Sequence, residues 1–226
     1  MKKILLLVVF TVMLLVNAEA QQKAQFGFRV GGTYSGYSGN DIRFFHPAYP
    51  GVKGANKWAA GAGFYVNSHV SDYFWIKTEF YFLNKGAQVK DSASGKTLRS
   101  NFYYIQCMPV MPTFHFKGFQ LFAGPYVGFA ITSNYQIDTA GSVKTVVNTE
   151  MTGYSYGSGG GTYDYNRLDI GMTGGFEYQF PFGLNLGIRR SWGITSVIAT
   201  PSGGTKVNQF NQGWMFSLGY SIGGSK

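Results

Sequence analysis

The feature of this sequence that most constrains its fold is a recurring segment of about ten residues in which alternate positions are apolar or aromatic. In residues 168–180 one parity is apolar: Leu168, Ile170, Met172, Phe176, Tyr178 and Phe180. The other parity, which starts at the preceding Arg167, is mostly polar: Arg167, Asp169, Thr173, Glu177 and Gln179. Because side chains alternate across a strand, such a segment predicts a β-strand with one apolar and one polar face.

Eight such segments predict eight strands, which are residues 25–34, 58–67, 73–83, 102–116, 119–131, 165–180, 184–195 and 212–222. Short connections (residues 69–72, 117–118 and 181–183) alternate with long ones (residues 35–57, 84–101, 132–164 and 196–211). Outer-membrane barrels have short periplasmic turns and longer external loops. The pattern predicts an all-β, eight-stranded antiparallel up-and-down transmembrane β-barrel with periplasmic termini and extracellular long loops.

The first twenty residues predict an export signal. Lys2 and Lys3 precede an uncharged apolar run over residues 4–16, and a small-x-small site over residues 18–20 follows. The run is shorter than the roughly 20 residues of a membrane-spanning helix. We therefore predict a signal peptide at residues 1–20 and one barrel domain at residues 21–226.

Composition separates a barrel from a soluble β-sandwich, the alternative fold. Charged residues are 13% of the chain and aromatic residues 18%, with 32 glycines. A soluble sandwich would carry more charge on its outer face. A barrel in lipid needs apolar residues at alternate positions only, aromatic residues at the two interfaces, and glycines where strands bend.

Charge and cysteine content limit the partners. Lys and Arg outnumber Asp and Glu by 19 to 10, but an exported chain without a clustered basic helix is a poor nucleic-acid binder. Outer-membrane lipid and anionic lipopolysaccharide fit better as partners. The single cysteine, Cys107, excludes an intramolecular disulfide and is expected in the barrel wall.

Several segments resemble the small Bacteroidota-type outer-membrane β-barrel family, described as porin family or PorT-like. The likeness is carried by residues 79–87 (EFYFLNKGA), 122–128 (FAGPYVG), 169–178 (DIGMTGGFEY), 188–195 (IRRSWGIT) and 218–220 (LGY). Residues 104–109 (YIQCMP) are one residue longer than the family pattern and lack its acid, which predicts a bulge. The resemblance implies fold and location more firmly than activity, since this scaffold hosts adhesion, secretion-accessory and structural roles.

The polar parity places six charged residues in the lumen: Arg29, Lys77, Glu79, Asp169, Glu177 and Arg189. The interior of an eight-stranded barrel is just wide enough for side chains to fill. Charges there must pair, because each unpaired one loses several kcal/mol of solvation. We predict a structural plug, and the alternative is a gated conduit.

Catalytic, cofactor and metal sites are not predicted. No GxSxG motif is present, and the three histidines, His46, His69 and His115, are scattered along the chain. The glycine-rich residues 154–161 lack the GK[ST] ending of a phosphate loop, and we interpret them as a flexible loop tip.

Cations outside the lumen are candidate contacts. The first two long loops are net basic, and from them we predict lipopolysaccharide or partner contacts at Lys53, Lys90, Lys96 and Arg99, with Lys57 and Lys85 counted among the loop cations. Arg190 falls on the lipid parity, which predicts either snorkelling to the external rim or a protein contact.

The sequence thus predicts a non-enzymatic integral outer-membrane barrel with a structural or interaction role in the cell envelope. An accessory role in a secretion machine is one form of this hypothesis. The alternative is a narrow porin-like channel for small solutes or ions.

Overall fold

The structure is a computed structural model that describes residues 24–40, 53–91, 95–139, 142–148, 154–156, 161–163, 165–198 and 208–223. The predicted signal peptide lies outside these ranges. The strands are β1 (Ala24–Gly39), β2 (Lys57–His69), β3 (Phe74–Lys85), β4 (Gln88–Asp91), β5 (Lys96–Phe116), β6 (Phe119–Thr139), β7 (Ser142–Asn148), β8 (Tyr154–Tyr156), β9 (Gly161–Tyr163), β10 (Leu168–Gln179), β11 (Leu184–Ser196) and β12 (Gln209–Gly223).

Eight long strands form a closed antiparallel ring in the order β1, β2, β3, β5, β6, β10, β11, β12. The ring closes because β12 pairs with β1, over a register that runs from Gln25 opposite Gly223 to Gly39 opposite Gln209. Every strand of the ring has two hydrogen-bonded neighbours, so the ring has no free edge. The predicted eight-stranded up-and-down barrel is confirmed.

The three short connections lie at one end of the barrel, here called the short-turn end, and the opposite end is the long-loop end. The tightest turn joins β5 to β6 through Lys117 and Gly118, with φ of 48° and 88°. Two consecutive residues at positive φ match the twist of a two-residue hairpin, and glycine reaches that conformation without a Cβ clash. Ala24 and Gly223 also lie at the short-turn end, beside Ser68 and Gln25 respectively.

Strands extend further toward the long-loop end than predicted. β1 continues to Gly39 and β6 to Thr139, inside segments interpreted as loops, while β4 and β7 add short strands to β5 and β6. The prediction was wrong here because it followed apolar alternation, whereas a hydrogen-bonded ladder continues without an apolar face. In the glycine-rich segment, β8 pairs with β9, and residues 157–160 lie outside the described ranges.

The two faces of the wall are inverted relative to a soluble protein. Phe176 is 59% exposed whereas the next residue, Glu177, is 1% exposed. Eight aromatic residues of the apolar parity are exposed: Trp58, Phe64, Phe74, Phe80, Trp192, Trp214, Phe216 and Tyr220. Within the described ranges, no helix combines the length and apolar character needed to cross a bilayer.

The predicted bulge is present in β5. Lys77 pairs with Met111 and Glu79 with Met108, so two steps on β3 oppose three on β5. The Thr78 hydroxyl donates to the Pro109 carbonyl at 2.8 Å, which satisfies a backbone group near the bulge. Met108 and Met111 are both buried, and Cys107 is a half-buried free thiol.

Glycines on the inner face make room for large side chains from neighbouring strands. A Cβ at Gly27 would lie 2.2 Å from the Tyr65 ring, and one at Gly171 would lie 2.6 Å from the Tyr126 ring. Gly175 is enclosed by backbone, since its Cβ would lie 2.3 Å from the Ile188 carbonyl oxygen. The lumen is therefore filled by alternation of glycine with large residues.

Gly175→Ala is expected to lower the free energy of unfolding by about 1–3 kcal/mol, because the backbone atoms it would meet cannot rotate away. The matched control is Gly174→Ala on the outer face, whose Cβ meets nothing nearer than 3.5 Å. Urea unfolding of the refolded barrel in lipid vesicles measures both. Equal stability of the two variants would contradict this account of the inner glycines.

Candidate functional site: the charged interior of the barrel

Five of the predicted lumen charges meet in one group, the central ion cluster, which comprises Arg29, Lys77, Glu79, Glu177 and Arg189. Their side chains come from β1, β3, β10 and β11, so the cluster crosses the barrel. Each of the five residues is at most 2% exposed. Inward parity on separate strands brings them together, because inner side chains of a ring of eight strands point toward one axis.

Glu79 is held by two arginines. Arg29 Nη1 donates to Glu79 Oε1 at 2.7 Å. Arg189 binds the same carboxylate with both terminal nitrogens, through Nη2 to Oε1 at 3.1 Å and through Nη1 to Oε2. Such two-pronged arginine contacts are strong and directional. Glu79 therefore links β1, β3 and β11 across the lumen.

Glu177 is also shared between two cations. Arg29 Nη2 donates to Glu177 Oε2 at 2.7 Å, and Lys77 Nζ lies 2.7 Å from Oε1. Arg29 thus bridges both carboxylates. The cluster holds three cations and two carboxylates, and each carboxylate is neutralised twice.

Aromatic groups enclose the cations of the central ion cluster. The Arg29 guanidinium lies 4.5 Å from the Tyr65 ring centroid, and Arg29 Nη1 donates to the Tyr81 hydroxyl at 3.1 Å. Arg189 lies 5.1 Å from the Tyr81 ring and 5.0 Å from the Phe122 ring. These ring faces stabilise positive charge and exclude water. The excess positive charge of the cluster is therefore partly compensated by π-systems.

Asp169, the sixth predicted lumen charge, lies in a separate group nearer the long-loop end. Lys85 Nζ donates to Asp169 Oδ2 at 2.8 Å, and Asn211 Nδ2 donates to the same oxygen at 3.0 Å. The Tyr126 hydroxyl donates to Oδ1 at 3.2 Å. The lumen therefore contains a second buried ion pair.

Two cations assigned to the long loops are buried instead, which corrects the sequence interpretation. Lys85 is 7% exposed and shares the parity of Lys77 and Glu79, so continuing the alternation of β3 by one step would have found it. Lys57 is 1% exposed and donates to Asn84 Oδ1 at 2.7 Å and to Asn101 Oδ1. Neither lysine was predicted in the lumen, because their segments were interpreted as loops.

Neutral polar residues fill the lumen toward the short-turn end. Asn185 Nδ2 donates to the Tyr65 hydroxyl at 2.7 Å and to Ser221 Oγ at 3.0 Å. Beyond them an open vestibule of about 450 Å³ faces the short turns. Trp75 stacks on the His115 ring there, with ring centroids 3.9 Å apart, and contacts the tilted His69 ring at 4.0 Å.

Space between the central ion cluster and the Lys85–Asp169 pair is small. A cavity of about 30 Å³ borders Lys85, Arg189 and Gln106. This volume accommodates about two water molecules. Gln106 is fully buried, and its amide atoms have no hydrogen-bond partner among the described residues.

The geometry of the central ion cluster favours a structural role over a catalytic one. Glu79 and Glu177 are each held by two cations, so neither carboxylate is free to accept a proton from a substrate. In the described residues, no group of three or more His, Cys, Asp or Glu side chains could hold a metal ion.

The predicted rim cations form a basic face on the β4–β5 hairpin. Gln88 pairs with Arg99 and Lys90 with Thr97, while Ala55 bridges to Gln88. Continuing that register places Lys53 beside Lys90, on the same face as Arg99. Val89 and Leu98, on the other face, are buried, so the basic face points outward. Lys96 lies opposite Asp91 on the inner parity.

Arg190 occupies the outer face of β11 as its parity predicted. Its Nη2 donates to Gln212 Oε1 at 2.9 Å, and its guanidinium lies 5.0 Å from the Trp214 ring and 6.0 Å from the Trp192 ring. The structure thus places it between two exposed tryptophans, apart from the lumen charges.

Comparison with solved structures gives low similarities. Ail, the attachment invasion locus protein of Yersinia pestis, is 9% identical with a TM-score of 0.43, covering 88% of this chain and 99% of that chain. OprG from Pseudomonas aeruginosa is 15% identical with a TM-score of 0.44, covering 89% and 97%. Neisserial surface protein A is 12% identical with a TM-score of 0.36, covering 88% and 96%.

Comparison of sequences identifies the family. No curated protein matches the chain. The profile of the outer membrane protein beta-barrel domain matches residues 19–199, which is most of the sequence. The closed ring, the apolar outer wall and the charged lumen agree with that match. The chain therefore belongs to the outer membrane protein beta-barrel domain family and is an integral protein of the outer membrane.

Proposed function

We propose that this protein is a sealed, non-enzymatic barrel with a structural or interaction role in the cell envelope, its long-loop end facing outward. The observation that carries the proposal is the central ion cluster, in which Arg29 joins both buried carboxylates across the lumen. The Lys85–Asp169 pair adds a second closed layer.

A sealed lumen follows from the energetics of buried charge. A permeating ion would have to separate Glu79 or Glu177 from its cationic partners, and breaking a buried pair costs roughly 3–5 kcal/mol. The cavity between the two charged layers holds only about two water molecules. The cluster therefore supports a plug over the channel alternative.

The refolded mature barrel is expected to show no steady conductance in planar bilayers, because both charged layers close the lumen. Single-channel recording measures this, and a heat-mobility shift confirms that the barrel has folded. Steady, ion-selective openings would favour the channel.

Glu79→Ala is expected to lower the free energy of unfolding by about 3–5 kcal/mol, because it leaves Arg29 and Arg189 buried without their shared partner. The matched control is Asp72→Ala, which removes an exposed carboxylate at the short-turn end. Urea unfolding in lipid vesicles compares the two. A Glu79→Ala barrel of wild-type stability that conducts with altered selectivity would refute the plug.

The long-loop end offers the surface for interaction. Lys53, Lys90 and Arg99 share an outward face of the β4–β5 hairpin, next to the apolar wall that includes Ile105 on β5. Phosphate groups of lipopolysaccharide would meet this face and accept charge-assisted hydrogen bonds. The PorT-like resemblance adds a secretion-machine protein as a further partner to test.

The double variant Lys53→Glu/Lys90→Glu is expected to bind lipopolysaccharide about tenfold or more weakly, because each replaced cation can form a charge-assisted hydrogen bond. The control Lys117→Glu/Arg167→Glu changes net charge equally at two exposed cations away from the β4–β5 hairpin. Titration of purified lipopolysaccharide against the barrel in nanodiscs measures both. Equal weakening by the two pairs would indicate a net-charge effect and contradict a site at Lys53 and Lys90.

A further inference from the structure

A second outward cation lies on the other side of the barrel from the basic hairpin. Arg190 projects from β11, which stands opposite β3 in the ring, whereas the hairpin adjoins β3 and β5. Its neighbours on the outer face of β11 are Ile188 and Trp192. A cation on a lipid-facing wall costs about 2–4 kcal/mol at the bilayer midplane and little near an interface.

The Arg190 side chain is held in one direction. Arg190 pairs across the ladder with Trp214, and its Nη2 donates to Gln212 Oε1 at 2.9 Å. Gln212 is anchored in turn, since its Nε2 donates to the Tyr37 carbonyl oxygen at 3.2 Å. Because Gln212 is two residues nearer the long-loop end than Trp214, the guanidinium points toward that end.

The guanidinium lies level with the end of the exposed apolar run on the neighbouring strand β12, whereas on β11 itself the exposed Trp192 and Ile194 continue toward the long-loop end. The exposed apolar residues of the outer face of β12 run from Ile222 to Trp214, and the next outward position is Gln212. This span of nine residues matches the length of a transmembrane β-strand. Trp192 and Trp214 flank the Arg190 guanidinium. Tryptophans concentrate at the boundary between hydrocarbon and headgroups.

The charge of Arg190 is not neutralised by the described part of the chain. No carboxylate there lies within ion-pair distance of it: Glu79, Asp169 and Glu177 bind other cations in the lumen. A guanidinium has five N–H donors. Among described residues, Gln212 is the acceptor for one of them. The others suit an anionic acceptor at headgroup level.

We propose that Arg190, Gln212, Trp192 and Trp214 form a site on the outer wall for the phosphate group of an anionic membrane lipid. The guanidinium fork matches two phosphate oxygens, as in other arginine–phosphate contacts. The two indoles fix the fork and shield it from the acyl chains. The site is independent of the proposed function, because neither the plug nor the basic hairpin contributes to it.

The test counts lipids that stay bound to the purified barrel in native mass spectrometry, with phosphatidylglycerol as the anionic probe and phosphatidylcholine as the zwitterionic comparison. The wild-type barrel is expected to retain one phosphatidylglycerol more than Arg190→Leu, with an affinity about tenfold higher. Leucine suits a lipid-facing position, so this variant is expected to fold. Arg190→Lys keeps the charge but loses the fork, and is expected to bind at an intermediate level.

Four results would overturn the proposal. Equal phosphatidylglycerol retention by the wild-type barrel and Arg190→Leu would remove the site. Equal loss of retention in Lys117→Leu, which removes an exposed cation at the short-turn end, would indicate general charge attraction. A dimer that disappears in Arg190→Leu while lipid retention is unchanged would assign the face to a second copy. Competition by inorganic phosphate alone at the lipid's concentration would show that the lipid moiety is not recognised.

Discussion

Neutralising charge inside a closed ring is the constraint on which the rest of this structure depends. The lumen is too narrow to solvate ions, yet it carries arginine, lysine and carboxylate side chains that are almost fully buried. Arg29 resolves the constraint by binding Glu79 and Glu177 together. Because the partners sit on β1, β3 and β10, the ion pairs exist only when the ring has closed. Charge pairing and barrel closure are thus one cooperative event.

Packing around the ions depends on inner glycines and on the tyrosine side chains that fill the space beside them. Glycines on inner positions leave space for Tyr65 and Tyr126 from adjacent strands. The Tyr65 ring then lines Arg29 and the Tyr126 ring lines Lys85, while the Tyr126 hydroxyl donates to Asp169. The bulge at Met108 adds two inward methionines that occupy the remaining apolar space.

The outer wall distinguishes the two cationic surfaces. The basic face of the β4–β5 hairpin extends beyond the apolar wall on strands that need no lipid contact. Arg190 instead sits within a lipid-facing strand and is held there by Gln212 on the neighbouring strand. The first surface, with several cations on one face, suits multivalent contacts with phosphates. The second, with its side chain fixed between two indole rings, suits a single phosphate.

The sequence by itself determined the eight strands, the two faces of the wall and the inward parity of the six lumen charges, because a period of two assigns every side chain to one face. It also indicated the bulge in β5 and the outward position of Arg190. Only the tertiary structure decided which charges meet. Asp169 pairs with Lys85 and not with the central ion cluster. Lys57 turns inward and binds Asn84 and Asn101. The register between distant strands sets the height of each side chain along the barrel and therefore its partners. Parity is a local property of one strand, whereas partner choice follows from ring closure, which no single segment encodes.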